Sequence, residues 1–239
     1  MLALVVASVR TLTVVRIGAP LAVGVTLAAG LAGADALNLA GLGAPAAVAI
    51  LAVFAAEFGR AFIQASAYGD EDRFPLRAPA AVMMAAVSTW ILWAASVMTG
   101  PMLLAARSWV AGAVLTVIAV AGLILLGPRW HRLARRWLVL VPAGVVLHDP
   151  VVLADTVSLR SAQIARIRLA PDDTDAADLT GPASGYALEV QTTETITAVF
   201  AFTPKEPNGR AIHLTGFLVC PSRPGLALAA AARRGLPVG

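Results

Sequence analysis

Four long apolar segments in the first 127 residues constrain the fold of this chain more than any other feature. Each is close to the roughly 20 residues that a helix needs to cross a hydrocarbon core about 30 Å thick. Backbone groups in lipid must be hydrogen-bonded within their own segment, so each segment is predicted to be a helix. Only 13% of the chain is charged, about half the share of a soluble domain. The sequence therefore predicts a transmembrane domain over residues 1–127, with spans at about residues 17–34, 42–62, 79–99 and 109–126.

The placement of arginine predicts the orientation of these spans. Cytoplasmic ends of membrane helices carry an excess of Lys and Arg. If the N-terminus is cytoplasmic, Arg107 is the one arginine near the spans that lies on the outer side. We therefore expect a multi-pass protein of the plasma (inner) membrane with its N- and C-termini in the cytoplasm.

The spans are rich in alanine and glycine, as in "LAVGVTLAAGLAGA" and "APAAVMMAAV". Small residues at four-residue spacing let the backbones of membrane helices approach closely. Two interpretations remain open at this point. The small residues either hold together a four-helix bundle within one chain, or form a self-association face that would make a homo-oligomer.

One pair of opposite charges falls inside a predicted span. Glu57 and Arg60 are three residues apart, so they share one face of a helix and are predicted to form an intramembrane polar pair near its cytoplasmic end. Charges within the membrane are candidates for function, so a small transporter or channel subunit using this pair is one alternative. An interfacial structural pair is the interpretation we favour.

The connection over residues 63–78 is the longest one between the spans and carries three consecutive acids, Asp70, Glu71 and Asp72. Their spacing does not match the alternating ligands of a calcium loop. We predict a solvated turn that docks on the downstream basic helix, and no metal site. A membrane-surface lipid enzyme using these acids is the weaker alternative.

A basic amphipathic segment, residues 128–136, follows the fourth span. On a helical wheel its tryptophan side and its arginine side face opposite ways, which is typical of a segment at the headgroup level of a membrane. Each arginine near an anionic leaflet contributes about 1 kcal/mol of attraction. We predict a membrane-surface site that contacts anionic lipid headgroups through Arg129, Trp130, Arg132, Arg135, Arg136 and Trp137.

From residue 137 the apolar pattern becomes strand-like, and this predicts a small domain over residues 137–239 in water. "WLVLVPAGVVLHDP" indicates two strands joined at residues 142–144, followed by strands at 156–159, 164–169, 186–192, 195–202 and 211–219. Ser222, a run of helix formers and Gly235 predict a C-terminal helix over residues 222–234. About 100 residues are enough for one small core. The expected fold class is therefore a four-helix transmembrane bundle followed by a mostly-β cytoplasmic domain.

The strand that begins at Trp137, "GVVLHD", "TVSLRSAQIARI" and the closing "IHLTGFLVCPSRPGLALAAAARRG" together resemble bacterial pleckstrin-homology-like (PH-like) domains attached to membrane helices. The likeness covers about residues 137–236 and is one of pattern. It implies a barrel-like β module closed by a helix and used for interaction or assembly at membranes. It implies no catalysis and assigns no binding residue.

There is no phosphate-binding Gly-rich loop and no Gly-x-Ser-x-Gly nucleophile turn. The basic excess flanks a membrane helix, so we do not expect nucleic-acid binding. We expect no catalytic residue and no cofactor, a structural turn at His148-Asp149-Pro150, and a solvated, mobile acidic run at Asp172–Asp178. The leading hypothesis is a non-enzymatic interaction module, with the lipid bilayer and an unknown membrane or cytoplasmic protein as partners.

Overall fold

The structure is a computed structural model that describes residues 6–201 and 209–239. The chain divides into two compact units. The first comprises Met1–Gly59 and Met83–His131, and the second comprises Arg60–Val82 and Arg132–Gly239. Each unit is thus built from two separate stretches of the sequence.

Helices make up the first unit, and four helical stretches are long and apolar enough to cross a membrane: Val9–Leu31, Ala36–Phe54, Ala80–Ala105 and Trp109–Ala134. The prediction of four membrane-spanning helices is confirmed at this level of length and composition. The helices are α1 (Val9–Gly18), α2 (Leu21–Leu31), α3 (Ala36–Phe54), α4 (Ala56–Gln64), α5 (Ala80–Ala105) and α6 (Trp109–Ala134).

The first candidate span begins earlier than predicted and is interrupted. Ser8 caps α1 by accepting a hydrogen bond from the Thr11 amide, and Pro20 separates α1 from α2 because it lacks the amide that would continue the helix. Arg16 therefore lies inside this span. Its Nε donates to the carbonyl oxygen of Val53 at 3.1 Å, one of the four carbonyls that the end of α3 leaves unpaired within the helix.

Glycines allow close contact between helices of the first unit. A Cβ on Gly112 would lie 2.7 Å from the backbone nitrogen of Leu104, and one on Gly100 would lie 2.8 Å from the Thr116 hydroxyl. Both contacts join α5 to α6. These small residues are therefore used for packing within the chain, as the bundle interpretation expects.

Two four-stranded sheets and a final helix form the second unit. The first sheet has the order β1-β2-β3-β4, and the second has the order β5-β7-β8-β6. The strands are β1 (Asp72–Pro75), β2 (Trp137–Val141), β3 (Gly144–His148), β4 (Val157–Arg160), β5 (Ile164–Leu169), β6 (Ala177–Asp178), β7 (Leu188–Phe200) and β8 (Arg210–Val219), and the helix is α7 (Pro224–Arg233).

Most predicted strands are present, but two of them are joined. The strands predicted at 186–192 and 195–202 are one strand, β7, with an irregularity between Gln191 and Ile196; residue 202 lies outside the described residues. The turn at 142–144 joins β2 to β3. Gly144 is required there, because a Cβ would lie 1.9 Å from the carbonyl oxygen of Leu159.

The strand β1 comes from the connection between the second and third spans, where the sequence predicted a solvated turn. It pairs antiparallel with β2, with Phe74 opposite Leu138. Phe74 is 2% exposed and lies in the main core cluster with Leu138, Leu147 and Phe217. The prediction of a solvated turn was wrong, because burying Phe74 and pairing the edge of β2 stabilise a strand in this connection.

Backbone pairs on two sides join the two sheets. After β1, the amide of Arg77 donates to Cys220 and the amide of Ser222 donates to Pro75, both at 2.8 Å. On the other side, the amide of Ala154 donates to the carbonyl of Val199 at 2.9 Å, and the amide of Ala201 donates to the carbonyl of Val152 at 2.8 Å. The two sheets and α7 therefore enclose one continuous core.

The C-terminal helix begins at Pro224, two residues later than predicted. Proline is favoured in the first turn of a helix, where its missing amide costs nothing. All four acids of the predicted solvated run are exposed: Asp172, Asp173, Asp175 and Asp178. The run ends in the short strand β6, which pairs with β8, and Leu179, which follows it, is 1% exposed in the core.

Candidate membrane-surface site

Two arginines of the predicted headgroup set lie exposed on the second unit. Arg132 is in the last turn of α6, and Arg135 is the first residue after this helix. The guanidinium of Arg132 donates to the carbonyl oxygen of Pro150 at 2.6 Å. This contact holds the side chain in place while its remaining donors are available to an anionic group.

A row of aromatic and basic side chains lies beside these arginines. Trp137 on β2 and His148 on β3 are directly opposite in the register, and their rings stack with centroids 5.1 Å apart. The guanidinium of Arg73 on β1 lies 5.3 Å from the Trp137 ring centroid. Trp137 therefore contacts a cation on one neighbouring strand and a histidine on the other. We define the basic–aromatic surface as the side chains of Arg132, Arg135, Trp137 and His148.

The charge state of this surface follows from its burial and its neighbours. Burial lowers the pKa of His148, and the positive charges of Arg135 and Arg73 lower it further, against a smaller opposite effect of Asp149. Its Nδ1 lies 3.1 Å from the Thr156 hydroxyl. At neutral pH the imidazole is therefore uncharged, and the positive charge of the surface comes from its arginines.

Arg136 has a different environment from the other arginines of the segment. Its side chain is 1% exposed and forms two hydrogen bonds with Asp149, at 2.7 and 2.6 Å. It also donates to the backbone carbonyls of Arg77 and Thr180. A guanidinium enclosed in this way cannot reach lipid headgroups, so the headgroup interpretation no longer includes Arg136. Asp149 also accepts from the amides of Val151 and Val152, as expected for a structural turn.

Arg129 and Trp130 belong to the first unit. Arg129 is exposed, and its guanidinium donates to the carbonyl of Leu125, one turn earlier in α6. Trp130 is 8% exposed and packs edge-on against Trp93, with ring centroids 5.5 Å apart. Its indole N–H points to the Thr89 hydroxyl at 3.4 Å. The structure therefore places Trp130 in a tryptophan cluster of the bundle and leaves Arg129 accessible.

The predicted intramembrane pair lies outside the candidate span. The second span ends at Phe54, and Ala55 has extended backbone angles that interrupt the helix. Glu57 and Arg60 are on the separate helix α4, where Glu57 is exposed and Arg60 is half-buried. The predicted span of 42–62 extended too far, because the apolar composition continues past the break at Ala55.

Asp70 and Asp72 contact the end of the C-terminal helix instead of the basic segment, whereas Glu71 pairs with Arg73. Arg234, at the end of α7, donates from Nη2 to Asp70 at 2.8 Å and from Nε to Asp72 at 2.9 Å. The hydrogen bond with Asp72 raises the pKa of Arg234, and the one with Asp70 adds to this against the effect of desolvation. These side chains line an open polar cavity of about 370 Å³ together with Gly69, Glu71 and Arg233.

The described residues contain no group of three or more His, Cys, Asp or Glu side chains that could hold a metal ion. Cys220 is buried, and burial raises the pKa of its thiol, so the group stays protonated. His131 and His213 each lie within hydrogen-bond distance of a threonine hydroxyl, at 2.7 and 3.0 Å. The side chains of His131 and His213 therefore each have a hydrogen-bond partner within the fold.

The sequence pattern did not predict the grouping of Arg73 with Trp137 and His148. The only signal for it was the position of Arg73 beside three acids in the inter-span connection. A comparison with protein-family models finds no match, and comparisons with curated proteins and with solved structures find none either.

Proposed function

We propose that this chain is a non-enzymatic interaction or assembly module, held at the cytoplasmic surface of the plasma membrane by four spans. The observation that carries the proposal is that two separate segments of the chain build the second unit. Its first sheet takes β1 from the connection before α5 and β2 from the segment after α6. The domain is thereby joined to the membrane helices by three separate stretches of backbone, which suits a module that presents a surface next to the bilayer.

The pairing of β1 with β2 supports a four-span topology. Residues 60–82 and 132–239 must lie on the same side of the membrane to share a sheet, and the two candidate spans α5 and α6 separate them. Two crossings return the chain to its starting side. Together with the arginine distribution, this supports a cytoplasmic location for the domain and for both termini.

A PH-like fold for the domain is part of the proposal. Two four-stranded sheets, joined at two sides and followed by a helix that buries Ala227, Ala230 and Ala231, agree with the module that the sequence pattern resembles. The partner surface that we assign is the basic–aromatic surface. Its ligands are anionic lipid headgroups or an acidic segment of a protein partner.

Recovery of partners from native membranes tests this proposal. Full-length protein extracted in mild detergent is compared with the double variant Arg132→Gln/Arg135→Gln, and both bound lipids and bound proteins are identified by mass spectrometry. Arg160→Gln/Arg166→Gln, which changes two exposed arginines elsewhere on the domain, is the matched control.

We expect anionic lipid or one protein partner to be retained by the wild type and the control and lost from the site variant. Identical lipids and proteins in all three samples would refute the assignment of the surface. The transporter alternative receives no support from the position of Glu57 and Arg60 on α4, beyond the end of the second candidate span.

A further inference from the structure

The connection between the second and third candidate spans is held in the domain by backbone and side-chain contacts. Its residues 72–75 pair with β2 as β1, and the amide of Leu76 donates to the carbonyl of Arg136 at 3.0 Å. At one end of this segment the carbonyl of Arg77 accepts from Arg136. We call residues 69–77 the latch segment.

At its other end the latch segment contacts α4. The side-chain amide of Gln64, the last residue of α4, donates to the carbonyl of Glu71 at 2.6 Å and accepts from the amide of Arg73 at 2.8 Å. One side chain therefore ties the position of the helix end to the backbone of β1. The helix α4 follows the second candidate span after the single residue Ala55.

The N-terminal part of the latch segment, residues 69–72, is held more weakly than the part that contains Phe74. Phe74 is 2% exposed and anchors β1 in the core, whereas Asp70 is 79% exposed. Segments with exposed polar contacts open at lower free-energy cost than segments buried in a core. The ion pairs of Arg234 with Asp70 and Asp72 lie at an open polar cavity, where salt or a charged ligand can compete with them.

We propose that the latch segment is a conformational switch, fixed to α7 by Arg234, through which a change at α7 is transmitted to α4. In the latched state Arg234 binds Asp70 and Asp72, and Gln64 holds the end of α4. In the unlatched state residues 69–72 leave α7 while Phe74 stays in the core. An anionic ligand that binds Arg234 in competition with the two acids favours the unlatched state. This inference holds whichever partner the domain has.

Hydrogen exchange of full-length protein in mild detergent, followed by mass spectrometry, tests the switch. The variants are Arg234→Gln and Asp70→Asn. Asp70 is 79% exposed, so its replacement removes one ion pair with little effect on the core. Arg233→Gln is the matched control, because the neighbouring Arg233 is exposed and makes no ion pair within residues 6–201 and 209–239.

We expect Arg234→Gln to speed exchange several-fold in residues 69–73 and also in residues 60–64 of α4, Asp70→Asn to have a smaller effect of the same pattern, and Arg233→Gln to have none. In a Gln64→Ala background, Arg234→Gln should still speed exchange in the latch segment but no longer in α4. A purely structural ion pair would not give this second result.

Faster exchange in the latch segment with no change in α4 would overturn the proposal, and so would a change in α4 that persists in the Gln64→Ala background. If Arg234→Gln speeds exchange throughout the domain, the variant has unfolded and Asp70→Asn decides between the two results. Higher salt should mimic Arg234→Gln in part in the wild type, because the pair with the exposed Asp70 is screened.

Discussion

The arginines after the fourth span differ in role because they differ in burial. Arg132 and Arg135 are exposed, whereas Arg136 is enclosed with Asp149. A helical wheel places all three on one polar face, but α6 ends at Ala134 and β2 begins at Trp137. The wheel no longer applies beyond the end of the helix, so the sequence pattern could not separate the buried arginine from the exposed ones.

Removing one partner of the Arg136–Asp149 pair should destabilise the domain strongly. Arg136→Gln leaves the Asp149 carboxylate buried without its cation and removes donors from the carbonyls of Arg77 and Thr180. We expect a loss of about 3–5 kcal/mol in the free energy of unfolding, measured by urea titration of tryptophan fluorescence in mild detergent. Arg135→Gln, at an exposed neighbouring position, should change the midpoint little. Equal midpoints for the two variants would contradict the buried pair.

The buried carboxylate of Glu189 predicts a dependence of stability on pH. Burial raises the pKa of Glu189, but hydrogen bonds from Gln191, Arg168 and Thr174 outweigh this and leave its pKa lowered. A lowered pKa in the folded state stabilises the fold at neutral pH, and this contribution disappears as pH falls through the folded pKa. The wild type should therefore exceed Glu189→Gln in thermal stability at pH 7, with the difference shrinking in acid. A difference that grows as the pH falls would show that folding raises the pKa of Glu189 instead of lowering it.

Among the elements, the long helices could be predicted from the sequence and β1 could not. An apolar run of about 20 residues is a local signal, and it located all four candidate spans, with ends that differ from the predicted ones by up to eight residues. The strand β1 has the sequence Asp-Arg-Phe-Pro, without alternation of apolar and polar residues, and its partner β2 lies two spans later in the chain. Only tertiary pairing shows that Phe74 is a core residue.

Replacement of Phe74 tests the contribution of β1 to the stability of the domain. Phe74→Ala should cost about 3–5 kcal/mol of folding free energy, as for other large aromatic residues removed from a core. Tyr68→Ala, which truncates an aromatic side chain that is 87% exposed, is the control and should cost little. In the same urea titration, a Phe74→Ala midpoint equal to that of Tyr68→Ala would show that β1 is not part of the core.

Because β1 completes the sheet and the core, a fragment of residues 132–239 should be unstable on its own. It lacks β1, so the edge of β2 and the space that Phe74 fills are both exposed. Joining residues 60–82 to its N-terminus through a flexible linker should restore a folded, monomeric domain. Size-exclusion chromatography and circular dichroism of the two fragments distinguish them, and equal stability without residues 60–82 would contradict the composition of the second unit.

At the scale of the whole molecule, the discontinuous domain makes topology and folding interdependent. Residues 60–82 are synthesised before α5 and α6, yet they complete a sheet whose other strands follow α6. The sheet can therefore form only after α5 and α6 have been synthesised. The arginines predict the orientation of the candidate spans, whereas the prediction that residues 60–82 and 132–239 share one side of the membrane comes from strand pairing.

Labelling of single cysteines in intact cells tests this topology. Tyr68→Cys and Tyr186→Cys change exposed residues in the two stretches of the domain, and Ala106→Cys lies between α5 and α6. The native Cys220 is buried as a protonated thiol, so its background should be low. An impermeant maleimide should label position 106 in intact cells, and positions 68 and 186 only after permeabilisation. Labelling of all three in the reverse order would invert the orientation but keep the shared sheet, whereas positions 68 and 186 on opposite sides would exclude the pairing of β1 with β2.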